Sequence, residues 1–142
     1  MAEKIVSVKK AKVLIAAVTL MFVLTGCTLL SQERVKLQDL EFTVLAEEKL
    51  PEELLSIVNE KKQAPFSLTY SDKDYLYICI GYGEQSTGGY SIAVNELYLT
   101  DSAIYVNTEL LGPDPSEKSN PVASYPYIVM KTEYREEPVI FE

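Results

Sequence analysis

The chain contains no histidine. That absence removes Ser-His-Asp triads, Cys-His pairs, histidine-ligated zinc and the usual general base near neutral pH. Cysteine is scarce, with two residues in all. If Cys27 is modified, as argued below, Cys79 stands alone, and neither an internal disulfide nor a thiolate metal site can form. Cys79 lies in the apolar run Tyr75-Leu76-Tyr77-Ile78-Cys79-Ile80, where a thiol acts as a small buried hydrophobe. Basic charge is sparse after the first 26 residues. The whole chain carries −8, and the opening segment holds Lys4, Lys9, Lys10 and Lys12 against Glu3, which leaves −11 for the rest. Lys61-Lys62 is the only adjacent basic pair there, so a phosphate backbone is repelled and nucleic acid is excluded as a partner.

Other chemical motifs are also missing. Gly81, Gly83, Gly88 and Gly89 are followed by a strand pattern instead of a helix start, and no Gly-Lys-Ser/Thr closes the segment, so a turn replaces a phosphate cradle. Asp72-Lys73-Asp74 lacks the further oxygen ligands and glycine of a calcium loop. Glu47, Glu48, Glu52, Glu53, Glu136 and Glu137 lie in polar stretches where nothing desolvates a carboxylate, so paired acid and base work is not expected. No small-molecule substrate, metal or cofactor is implied, and the chain reads as a non-enzyme.

What is present begins with a leader. Four lysines precede an uncharged apolar run from Val13 to Leu24, the n-region and h-region of a secretory signal. Leu24-Thr25-Gly26-Cys27 follows and resembles the bacterial lipobox, in which cleavage falls after the small residue and the next residue must be cysteine. Gly26 is thus the expected cleavage position, and Cys27 is the expected site of a diacylglycerol thioether. The alternative is a membrane-spanning helix from Val13 to Leu30, but the apolar stretch before Gly26 has signal-peptide length. Acyl chains buried at ~0.8 kcal/mol per CH₂ hold such an anchor once two or more are attached. The expected product is a lipid-anchored protein on the extracytoplasmic side of a cell membrane. Residues 1–26 are the signal peptide, 27–35 a tether and 36–142 one globular domain.

The domain reads as mainly β. Leu40, Phe42 and Val44 alternate with Glu41 and Thr43 in a half-buried strand over Lys36–Leu45. Pro51, Glu52 and Glu53 open a helix with Leu54, Leu55, Ile57 and Val58 on its apolar stripe, and Lys61 and Lys62 close it. Phe66, Leu68 and Tyr70 alternate with small polar residues, Ser71–Asp74 turns the chain, and Tyr75–Tyr82 returns as a central strand apolar on both faces. Tyr90, Ile92 and Val94 run in one phase while Leu97 and Leu99 continue in the other, which demands a bulge near Asn95 and Glu96. Strands follow at Ile104–Leu110 and Tyr125–Tyr134, with a short edge strand at Val139–Phe141. The fold class expected is an antiparallel β-sandwich or curved sheet of about six strands with one helix packed on it, α+β in composition.

Ser86-Thr87-Gly88-Gly89-Tyr90-Ser91-Ile92, the apolar hairpin, a proline-bearing loop and Ser124-Tyr125-Pro126-Tyr127-Ile128-Val129 together resemble the C-terminal domain of the PrcB family, over about residues 76–131. The resemblance implies an accessory role, in which the domain binds, stabilises or helps mature an exported protein, a protease among the candidates. Thr87, Gly88, Gly89, Tyr90, Tyr125, Pro126 and Tyr127 are the candidate partner-binding residues, with plain turn chemistry as their alternative role. The loop Gly112–Ala123, with Pro113, Pro115 and Pro121, is a second candidate surface. Thr87-Gly88-Gly89-Tyr90 also resembles part of the Asn-Pro-Thr-Thr-Gly-Tyr loop of chagasin-like cysteine protease inhibitors. Glu84-Gln85-Ser86 departs from that pattern, and no Gly-X-Gly-Gly counterpart is present.

Overall fold

A computed structural model describes residues 33–118 and 120–142. The readings for Gly26, Cys27 and the signal peptide lie outside these residues. Arg34–Glu142 form one compact unit. Its strands are β1 (Gln38–Asp39), β2 (Thr43–Val44), β3 (Pro65–Ser71), β4 (Tyr75–Tyr82), β5 (Ser91–Leu99), β6 (Ile104–Leu111), β7 (Tyr127–Glu133) and β8 (Val139–Phe141). A 3-10 turn at Glu47–Lys49 and one helix, α1 (Glu52–Lys61), complete the elements. The strands form two four-stranded sheets, in the orders β1-β5-β6-β8 and β2-β7-β4-β3.

The molecule is layered as sheet, sheet and helix because β4 is apolar on both faces. Leu76 and Ile78 point toward the first sheet and meet Leu97, Leu99, Ile104, Val106 and Met130. Tyr77 and Cys79 point the other way, against Leu50, Leu54, Val58 and Val129. The helix contributes Leu54 and Val58, both fully buried, while Leu55 and Ile57 flank them at half exposure. Pro51 sits one position before the first helical residue and caps it without a side-chain hydrogen bond.

The β3–β4 hairpin forms in the expected register, with Leu68 opposite Cys79 and Ser71 opposite Leu76. Asp72 holds its turn: its carboxylate accepts the amides of Asp74 and Tyr75 at 2.9 and 2.8 Å and the Tyr77 hydroxyl at 3.1 Å. The two amide bonds, ahead of the phenol, pull the Asp72 carboxyl below its ordinary pKa. Phe66 lies opposite Gly81 and fills the space where a side chain there would stand, so that a Cβ on Gly81 would come within 2.1 Å of the ring. Gly81→Ala is accordingly expected to destabilise by about 1–3 kcal/mol, the usual cost of overpacking. Urea denaturation checks this, and an unchanged midpoint would show that the ring moves aside freely.

The bulge is where the change of phase demands it: the β5–β6 register shifts between Val94 and Glu96. Three other readings are corrected. The single strand expected over Lys36–Leu45 is two short strands in different sheets, since β1 pairs with β5 and β2 with β7. Leu40 drops into the inter-sheet core where the chain crosses over, whereas Phe42 and Val44 are 38% and 53% exposed, because the crossover rotates the strand and breaks the alternation. That split, together with the short edge strand β8, raises the strand number from about six to eight. Finally, β8 is parallel to β6, so the sandwich is not wholly antiparallel. β8 arrives from the opposite sheet through residues 134–138, and no tight hairpin turn imposes an antiparallel return.

The first residues of the unit dock on the outer face of the first sheet. There Tyr98 and Tyr105 stack at 5.4 Å, the Arg34 guanidinium lies 4.5 Å from the Tyr105 ring centre, and Lys36 sits over Tyr98. Arg34 also pairs with Glu142.

Candidate functional site

The two segments that carry the family resemblance meet at one end of the sandwich. At the exit of β4, Gly83 adopts φ +75°, and a Cβ there would meet the Pro65 ring and backbone at 2.9 and 3.0 Å. The chain can leave the strand so close to β3 only without a side chain. Beyond it, Gln85 and Ser124 exchange both backbone hydrogen bonds, at 2.8 and 3.0 Å, in an isolated antiparallel bridge. The Ser124 hydroxyl donates to the Thr87 carbonyl at 2.6 Å, and the Gly88 amide donates to the Asn120 carbonyl at 3.1 Å. Loop 83–90 is thereby tied to loop 112–126.

The two glycines of Thr87-Gly88-Gly89-Tyr90 do different jobs. Gly89 has φ +86° and lies so close to the second loop that a Cβ would stand 2.9 Å from the Pro113 Cβ. Gly88 faces open space, with nothing within 4 Å of the Cβ position. Tyr90 is half-buried, and its ring edge lies beside Gly112. Across the sandwich, the Tyr82 and Thr108 hydroxyls are 2.7 Å apart and join the two sheets at this end.

Tyr125, Pro126 and Tyr127 enter β7 beside these loops, and the two tyrosines serve the helix side. The Pro126 carbonyl accepts the Tyr82 amide at 3.0 Å. The Lys62 ammonium lies 5.9 Å from the Tyr125 ring centre, so the last turn of α1 reaches over that residue. Tyr127 packs on the helix core and donates its hydroxyl to Glu47 at 3.0 Å. The structure therefore brings Thr87, Gly88, Gly89 and Tyr90 together with the 112–124 loop, and it turns Tyr125 and Tyr127 toward the helix. Gln85, Asn120 and Ser124 complete the tie. Their pairing spans more than thirty residues of sequence and leaves no local pattern to read.

Burial, followed by the bond to Glu47, pushes the Tyr127 phenol up to about 12. A raised pKa means that the fold favours the neutral phenol. Its contribution to stability is complete below the unfolded value of 10.0 and is lost as pH rises through about 12. Ultraviolet titrations of the natural chain and of Tyr127→Phe are expected to differ by one phenol that ionises late. If the Tyr127 phenol ionised at its unfolded value of 10.0, that assignment would fail.

Among the described residues no three His, Cys, Asp or Glu side chains converge on one point. Cys79 is fully buried, and desolvation pushes its thiol up to about 12, which leaves it protonated and inert. A depression of about 670 Å³ lies near the opposite end of the second sheet, lined by Phe42, Tyr75, Lys131 and Glu133 among others. The Lys131 ammonium there sits 3.7 Å from the Tyr75 ring centre, a packed cation–π pair. Among the described residues no helix is long and apolar enough to cross a membrane.

No curated protein and no solved structure matches the chain. The family described as PrcB C-terminal matches residues 76–133, which run from β4 through both tied loops to β7. The matched stretch, which holds the inner strands of both sheets and the whole candidate site, is similar to the PrcB C-terminal family.

Proposed function

We propose that this protein is an extracytoplasmic accessory subunit. It is cleaved after Gly26, lipidated on Cys27 and held at the membrane, where it binds an exported protein partner through the end of the sandwich formed by loops 83–90 and 112–126. The match of residues 76–133 to the PrcB C-terminal family supports association with a protease complex, and the finer reading is a subunit that stabilises or helps mature the protease. The bound lipid is the only non-protein group this role requires. The chain does no chemistry of its own in this reading, which the protonated Cys79 thiol and the absence of histidine support.

The observation that carries the reading is the cross-tie itself. The Gln85–Ser124 bridge, the Ser124–Thr87 bond and the Gly88–Asn120 bond order two loops before any partner arrives. Loops already ordered lose less entropy on binding, so more of the contact energy appears as affinity. A loop pair held only as a connector would not need ties from both sides of its tip.

Gly88 offers a clean test, because a Cβ there would have no described atom within 4 Å. Crosslinking and pull-down from intact membranes are expected to recover an exported protein with the natural chain. Gly88→Trp should reduce that recovery by at least about tenfold, equal to 1.4 kcal/mol, with an unchanged melting temperature. If no exported partner is recovered, or if Gly88→Trp recovers as much as the natural chain, the assignment of this surface is wrong.

A further inference from the structure

Three of the four sheet edges are very short: β1 and β2 have two residues each and β8 has three. The fourth is β3, with seven residues and no charged side chain, Pro65-Phe66-Ser67-Leu68-Thr69-Tyr70-Ser71. Long uncharged edges recruit another strand, and soluble proteins ordinarily guard them with lysine, a bulge or a cover. Among the described residues no lysine, bulge or cover guards β3, so its occupant has to be found.

We propose that the occupant is a second copy of this chain, with β3 pairing antiparallel to β3 about a two-fold axis at Leu68. The backbone phase permits it. Asp72 donates its amide to Tyr75 across the hairpin, so even-numbered residues of β3 bond to β4 and odd-numbered ones point their amides and carbonyls outward. About an axis at Leu68, the outward groups of Ser67 meet those of Thr69 in the second copy, and the Ser71 amide meets the Pro65 carbonyl. Proline, which has no amide to offer, is tolerated at such an outward position.

Side chains match on both faces in that register. Phe66, Leu68 and Tyr70 are half-buried on the helix side, and the two-fold sets Phe66 against Tyr70 and Leu68 against Leu68 of the second copy. On the other face the exposed Ser67 meets the exposed Thr69. Charge matches as well. Glu53, bonded to the Tyr70 hydroxyl at 3.1 Å, marks the acidic start of α1, while Lys61 and Lys62 end the helix beside Pro65. The two-fold turns the acidic start of one helix toward the basic end of the other. Repulsion from the charge of −11 on residues 27–142 acts at longer range and is largely screened beyond ~8 Å at physiological ionic strength. Pairing of this kind closes both long edges at once and stops at two copies.

Thr69→Lys tests the proposal, since Thr69 is exposed and its side chain lies outside both cores. Light scattering of the full chain in detergent at micromolar concentration is expected to give two protomers per particle, falling to one in Thr69→Lys, with far-ultraviolet dichroism unchanged. If Thr69→Lys fails to fold, Ser67→Lys tests the same edge. Glu96→Lys, in the first sheet, should leave the dimer intact. A natural chain that is monomeric, or a folded edge variant that stays dimeric, overturns the proposal. So does an edge that pairs only with the exported partner, because the purified chain would then be monomeric. Cys27→Ser is expected to dimerise as the natural chain does, so that a failure of anchoring and a failure of pairing are read apart.

Discussion

Truncating Leu54 to alanine is expected to remove about 2–5 kcal/mol of stability, the usual range for deleting a fully buried leucine. Leu54 has no exposed surface and stands where α1 meets Tyr77, Cys79 and Val129. A helix of ten residues is marginal in water by itself, so burial of Leu54 and Val58 is what keeps α1 formed. With total stabilities near 5–15 kcal/mol, the loss is a large share. Urea denaturation reads the global effect, and Cys79 supplies a local one. Its thiol is inert because the helix layer buries it, and Leu54→Ala should open that layer often enough for a thiol reagent to label Cys79 much faster. A loss below about 1 kcal/mol, with Cys79 still protected, would mean that the helix adds little to the second core.

The other large effect concerns the membrane. Under the proposed function, replacing Cys27 with serine is expected to abolish lipid attachment altogether, because an alcohol cannot form the thioether. Metabolic labelling with a fatty-acid analogue should mark the natural chain and leave Cys27→Ser blank, and mass spectrometry should place the natural amino terminus at a modified Cys27. Recovery of the natural chain with Met1 in place and Cys27 unmodified would end the lipoprotein reading. The consequence for binding follows from geometry. Residues 28–33 reach at most about 21 Å when extended, so anchoring keeps the loop surface at high effective concentration near a partner in the same membrane. Losing the anchor should weaken complex formation without changing any contact.

Much of this fold could be read locally. The Ser71–Asp74 turn, the two-faced apolar strand that became β4 and the bulge beside Asn95 each depend on neighbours within a few residues. Apolar stripe, helix-start acids and helix-end lysines likewise mark α1 within a single segment. The candidate site was legible only in part. Glycines at 88 and 89 look alike in sequence, yet positive φ and contact with Pro113 single out Gly89, while Gly88 opens to solvent. Tyr125 and Tyr127 sit close to the site in sequence and turn away from it toward α1.

Composition and short-range pattern settled the class of this protein: histidine-free, acidic and, among the described residues, mainly β with one helix. Side-chain periodicity and turn chemistry act over a few residues, so they determine whether a segment becomes strand or helix. They carry no information about which strand lies beside it. Tertiary packing decided that Leu40 enters the core while Phe42 and Val44 do not, that β8 runs parallel to β6, and that Gln85 finds Ser124. Each of those outcomes depends on where a distant segment comes to rest, and that is set by burying both faces of β4 at once.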